Sequence, residues 1–411
     1  MPRLSFLFLS PYVVFLLFSF NPNISAAKVI TVGPEGDFLF PSLAAKYANN
    51  GDVIQIDARG YYLNDVANWS QSDIKIIGIN GRPHIRNNQL IKNGKAIWVI
   101  KGSNVTVENV EFSGAIVRDK NGAAIRHEGG NLSIISCNFH DNENGILSGV
   151  HREDVHILVD KSEFAFNGKN GRGRTHNIYI GAIGKFTFRN SFSHDAYIGH
   201  LIKSRARTNL ILYNRLFEGK ASYAIDLSNG GDSIVMGNVI YQDSSTDNSG
   251  LIGYGLEGLS KNGAHNLLVL HNSFLNSRKA GVFVRSKPQA NIQIMNNIFS
   301  GNGDILHNGA KKKGIKYFIK KILGKNVDAY NVDVGEVLIE NNLLGKNIFE
   351  VFTESRLQVR TKYQKNIIDK SIIMRDTYGN KLIPMFQIRE KIVLPRKLLG
   401  SAHDLGAIEY Q

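Results

Sequence analysis

The chain has 411 residues, a formal net charge of +14 at neutral pH and a single cysteine. One cysteine excludes an intramolecular disulfide framework, so stability must come from a packed core, and Cys137 is expected to be a small buried packing residue rather than a nucleophile. The positive balance points to an anionic glycan or envelope surface as partner. Nucleic acid is set aside because no recognisable nucleic-acid module accompanies the charge.

Arg3 is followed by an almost wholly apolar stretch from Leu4 to Phe20, then polar Asn21 to Asn23 and the small-residue exit Ser25-Ala26-Ala27. That order is expected of a secretory signal over residues 1–27, with the body exported to the periplasm, the cell surface or the medium. An uncleaved anchor fits less well, because Pro11 interrupts the run and it is shorter than the roughly 20 residues a bilayer span needs. Next come a strand, a short helix from about Pro41 to Ala48 and a strand from Val53 to Ile56. A helix there would cover the open end of a first coil.

A β-type run then returns again and again, closed by Phe112, Phe139, Phe164, Phe192, Leu216, Ile240, Phe274, Phe299 and Leu344. Two residues before each closing residue stand Val110, Cys137, Ser162, Asn190, Asn214, Asn238, Asn272, Asn297 and Asn342, at spacings of 27, 25, 28, 24, 24, 34, 25 and 45. This is a solenoid period. One such unit cannot bury its own apolar face, whereas coils stacked about 4.8 Å apart give every strand a parallel partner. The expectation is an all-β, right-handed parallel β-helix over residues 28–350, monomeric, with the recurring Asn in a left-handed bend and bonded to its copies above and below. A leucine-rich horseshoe is excluded, since no LxxLxLxxN consensus repeats and the units lack a helical segment.

The two long spacings mark a polar, Gly-rich loop from Gln242 to Gly263 and an insertion from Lys311 to Lys325. In the insertion Ile315, Phe318, Ile319, Ile322 and Leu323 follow helical spacing opposite a lysine face. Such a helix would lie on an anionic membrane surface or dock on the solenoid flank. Residues 351–411 lose the period and are expected to form a C-terminal cap.

The sharpest charge asymmetry lies between Ala165 and Phe217, where nine basic residues meet one acid, Asp195. Aligning HNIYIG, GHLIKSR and YAIDLSN on neighbouring coils puts His176 over His200 and Tyr179 over Lys203, with Asp226 under Lys203 after a one-residue slip. Inward Ile178, Ile202 and Ile225 then leave Tyr179, Lys203 and Asp226 facing outward together. Arg205 and Arg207 follow the strand, Arg172 and Arg174 precede its neighbour, and Asn229 closes the next one. These arginines and Asn229 are the candidate substrate-binding residues.

That set suits a uronic-acid polymer. Removing the C5 proton of a uronate needs its carboxylate neutralised by Arg or Lys, plus a base such as His, Lys or Tyr; Lys203, His200, His176 and Tyr179 are the candidates. Asp226 would orient a base, hold Lys203 charged or contribute to a calcium site, although calcium needs more oxygen ligands than can be identified. The dispersed histidines and lone cysteine show no zinc spacing, and His127, Glu128 and His265 read as loop residues.

THNIYIG, GHLIKSRAR, NLILYNRL and SYAIDLSNGG resemble the pectate-lyase-like superfamily of right-handed β-helix proteins. GHLIKSR is also similar to the strand pattern of alginate C5-epimerases, though no DPHD segment is present, and neither the paired aspartates nor the GHG of polygalacturonases occur. The resemblance implies an exported lyase or C5-epimerase acting on an acidic polysaccharide. The other class that remains is a non-catalytic glycan-binding or scaffolding solenoid.

Overall fold

The computed structural model describes residues 27–169, 175–259, 261–309, 335–345, 370–371, 374–375, 381–382, 384–389, 392–396 and 402–407. It is a right-handed parallel β-solenoid of about 11 turns. Three parallel sheets of 12, 10 and 11 strands run along it, and each strand pairs with its counterpart one coil before and one coil after. Inside, aromatic rings stack on rings: Phe112 on Phe139 at 5.3 Å and Phe139 on Phe164 at 4.6 Å between centroids. Cys137 is buried as well, at the bend position beside Ser162, as its apolar setting leads one to expect.

The helix Pro41–Tyr47 opens with Pro at its first turn, where no N–H is required. It buries Ala44 and Ala45 in the core and packs on the strand Ala67–Trp69, covering the first coil. The 1–27 leader, apart from its last residue, and the lysine-rich insertion at 311–325 lie outside the described residues. Described parts of the C-terminal segment lie against the flank of the middle coils. Met385 N–H donates to the Tyr213 hydroxyl at 3.0 Å, and Ala407 N–H donates to Ser273 Oγ at 3.2 Å.

Two features of the bends differ from the sequence expectation. The left-handed residue is the one before the recurring position: Ser136, Lys161, Asn190, Tyr213, Gly237, His271, Asn296 and Asn341 have φ between 50° and 70°. The recurring residue itself faces inward and builds a ladder. Asn238 Nδ2 donates to Asn272 Oδ1 at 2.9 Å and to the Ile211 carbonyl at 2.9 Å, while Asn238 Oδ1 accepts from the Asn214 amide N–H at 2.8 Å. The second difference follows from the first. Ser191, not Asn190, joins the ladder, accepting from the Ser162 N–H at 3.0 Å. Its coil is therefore shifted by one residue, with Ser193 buried inside and Phe192 turned outward against the ring of His194. His127, expected in a loop, ends the strand Ala123–His127 and is fully buried.

Candidate functional site

The ten-stranded sheet carries the predicted cluster on its outer face. Tyr179 pairs with Lys203, Lys203 with Asp226, Asp226 with Gly253 and Gly253 with Arg285 in direct register. Inward Ile178, Ile202, Ile225 and Ile252 form the buried side of the same strands. Coil stacking thus delivers a row of side chains at strand spacing, and Gly253 makes room beside Asp226 that the side chains of Leu256 and Tyr223 fill.

Lys203 is buried but for 7% of its surface. Its Nζ donates to Asp226 Oδ2 at 2.5 Å and to Glu257 Oε1 at 2.6 Å. Ser228 Oγ also donates to Asp226 Oδ2, at 2.8 Å. The Arg205 guanidinium donates to the Tyr179 hydroxyl and to Glu257 Oε2, and it lies over the Tyr179 ring at 5.0 Å. Glu257 therefore bridges Lys203 and Arg205 through its two oxygens. Burial alone would raise its pKa, but the hydrogen bonds and charges of Lys203 and Arg205 outweigh that and hold it below the usual glutamate value.

His176 and His200 stack 5.0 Å apart and nearly parallel. The backbone N–H of His200 donates to His176 Nδ1 at 3.0 Å, and that of Tyr223 donates to His200 Nδ1 at 3.1 Å. A ring that accepts at Nδ1 carries its proton on Nε2 when neutral. Burial drives His200 down to about 4 against the opposing pull of Asp226, and burial reinforced by neighbouring cations holds His176 well below the usual histidine value. Both rings are thus neutral donors rather than free bases, with His200 Nε2 3.4 Å from Asp226 Oδ2. In this geometry the Nδ1 lone pair of each ring, the one a base would use, is engaged by a backbone amide. Their place is to tie successive coils together and brace Asp226.

Of the candidate substrate-binding residues, Arg205 joins the cluster. Arg207 instead pairs with Glu153 at the edge of an open cleft of about 350 Å³ lined also by His156, Lys185 and Asp232. Asn229 is 1% exposed and donates to the Gly258 carbonyl at 3.2 Å, so it holds the loop. Arg172 and Arg174 lie outside the described residues. Glu257 and Ser228 were not singled out from the sequence; the one signal for Glu257 was the long spacing that marks its loop.

Calcium does not fit this donor set. Asp226 and Glu257 are the carboxylates that reach Lys203 among the described residues, and its ammonium already occupies the space between them. A calcium ion takes six to eight oxygen ligands.

Residues 148–318 match the sequence family described as right handed beta helix region. No curated protein matches the chain by sequence. Among solved structures, the crystal structure of pectate lyase Pel9A superposes with a TM-score of 0.53 at 12% sequence identity, over 95% of this chain and 98% of that one. The likeness is one of fold, and it agrees with the all-β solenoid expected from the repeat.

Proposed function

We propose that the protein is exported and acts on a uronate-containing acidic polysaccharide laid across the outer face of the ten-stranded sheet, by β-elimination or by C5 epimerisation. The observation that carries this reading is the Glu257 carboxylate bridging Lys203 and Arg205 beside the Tyr179 hydroxyl. A uronate carboxylate has the same charge and shape. It can take the place of Glu257, whose side chain is 44% exposed on a loop, whereas Lys203 is held in the sheet.

With the exchange made, two cations neutralise the group that acidifies C5–H. Tyr179 is the side chain within reach of that carboxylate to take the C5 proton, while Lys203, kept as the ammonium, can give a proton but not accept one. Loss of the C5 proton with cleavage of the C4–O bond is elimination; return of a proton to the opposite face is epimerisation. The fold likeness to a pectate lyase and the +14 charge support an acidic polysaccharide as substrate class. A second reading, a non-catalytic glycan-binding solenoid, is favoured by one observation: the Lys203 ammonium is already satisfied by two carboxylates.

The test is ultraviolet absorbance of unsaturated uronate when the mature protein meets a panel of acidic polysaccharides with and without calcium. Lys203→Ala and Tyr179→Phe are assayed alongside. A lyase gives a signal that Lys203→Ala abolishes while binding survives. An epimerase gives no absorbance but inverts C5 in the sugar NMR spectrum. Binding without either change, weakening stepwise as each basic residue is removed, replaces catalysis with recognition.

A further inference from the structure

The eleven-stranded sheet carries a second cluster on its own outer face, in coils that precede the site described above. His84, Glu111 and His140 come from three successive strands, His84–Arg86, Glu111–Ser113 and Asn138–His140. One ligand atom from each lies within 4.8 Å of the others. His140 Nε2 is 3.0 Å from Glu111 Oε1, and His84 Nδ1 is 3.4 Å from the same oxygen. Ligands at zinc distances in a tetrahedron are about 3.4 Å apart.

Each imidazole is also held from behind. His140 Nδ1–H faces Asp141 Oδ2 at 2.8 Å, and His84 Nε2 faces Ser113 Oγ at 2.7 Å. An outer hydrogen bond of this kind fixes the tautomer and leaves the opposite nitrogen free for a metal. All three side chains are between 25% and 31% exposed, so a fourth position is open to water. Arg82 and Arg86 lie near enough to act on the cluster, and Glu111 with Asp141 offsets them.

The fold supplies its own comparison. Two coils further on the arrangement returns, with His194 between Glu163 at 3.1 Å and Asp195 at 2.7 Å. There the place of His84 is taken by Asn138, and the place of Ser113 by Ala165. The second imidazole and the hydroxyl that orients it are absent together. A His–carboxylate clamp therefore satisfies this face without the extra pair, and the first copy adds one more nitrogen, His84 Nδ1, aimed at the shared carboxylate oxygen, and the hydroxyl that holds that imidazole from behind.

We propose that His84, Glu111 and His140 bind a zinc ion that staples three successive coils, with water as the fourth ligand and Asp141 and Ser113 as the supports of the two imidazoles. The sequence conceals the site because its ligands lie one coil apart rather than at the short spacings of a zinc motif.

The test is calorimetric titration of the untagged, chelator-treated mature chain with Zn²⁺, with Co²⁺ as a spectroscopic substitute. The expected result is one ion per chain, a rise in thermal midpoint on zinc addition and the visible bands of tetrahedral cobalt. His84→Asn, which copies the second clamp, lowers affinity about 100-fold or more and removes the cobalt bands. Asp141→Asn lowers affinity about 10- to 100-fold. His194→Asn leaves the isotherm unchanged. Should His84→Asn melt early even with chelator present, Ser113→Ala replaces it, with a loss of about tenfold. No saturable binding, the wild-type isotherm in both His84→Asn and Ser113→Ala, or an equal loss in His194→Asn would overturn the proposal.

Discussion

Asn238 sits in the middle of the inward ladder, fully buried, and its side chain serves four hydrogen bonds. Asn238→Ala removes all four, but the consequences differ among the partners. Asn214 Nδ2 keeps the Phe188 carbonyl, and Asn272 Oδ1 keeps the Asn238 N–H. The Asn214 N–H and the Ile211 carbonyl lose the partner that the ladder gave them. A buried polar group left unpaired costs about 1–3 kcal/mol, and since Ile211 stays inside its sheet while the Asn214 N–H is stranded, the substitution is expected to cost about 2 kcal/mol. Asn238→Ser restores the acceptor, as Ser162 Oγ does for the Cys137 N–H at 3.1 Å, and should recover most of the loss. Urea unfolding followed by far-ultraviolet circular dichroism measures the loss, and hydrogen exchange at the Asn214 amide locates it. A loss below about 1 kcal/mol, with the Asn214 amide still protected, would refute the claim that the ladder holds the bends.

Three further outcomes are expected. His127 is driven down to about 4 by burial, whereas the unfolded chain titrates near 6.5, so the unfolded state takes up its proton first on acidification. Its contribution is therefore complete above about pH 6.5 and lost by about pH 4, amounting to roughly 3 kcal/mol; His127→Gln should flatten the pH dependence of the unfolding free energy. Burial pushes the Cys137 thiol up to about 12, so a disulfide reagent should label the native protein only at the rate of unfolding, and rapid labelling of folded protein would contradict the packing. Lys161 is exposed and held at φ 51°, so Lys161→Gly should raise the urea midpoint by the equivalent of about 1 kcal/mol.

The repeat made the solenoid legible because one core column of aromatic and aliphatic residues returns at each coil, from Phe112 through Phe299. The outward row of Tyr179, Lys203 and Asp226 was also legible, since alternation along a strand and stacking between coils are geometric rules. What escaped was local. One extra residue before the inward position turns Phe192 out and brings Ser193 in, and the apolar character of Phe192 masks the shift. Nor does the chain announce which nitrogen of a histidine meets a backbone amide, so the neutral pair His176 and His200 resembled bases until their Nδ1 partners were seen. Glu257 reaches Lys203 from a loop, where no period governs position.

In the three long sheets the strand-to-strand hydrogen bonds run from coil to coil along one axis. Tension applied between the two ends therefore loads the coil interfaces in series, each bearing the whole force through its few strand pairs. Adding coils lengthens such a body without strengthening it, and the weakest interface sets the limit. A force that slides one coil across the next meets many of those bonds at once. A molecule built this way resists a load across its face better than a pull along its length.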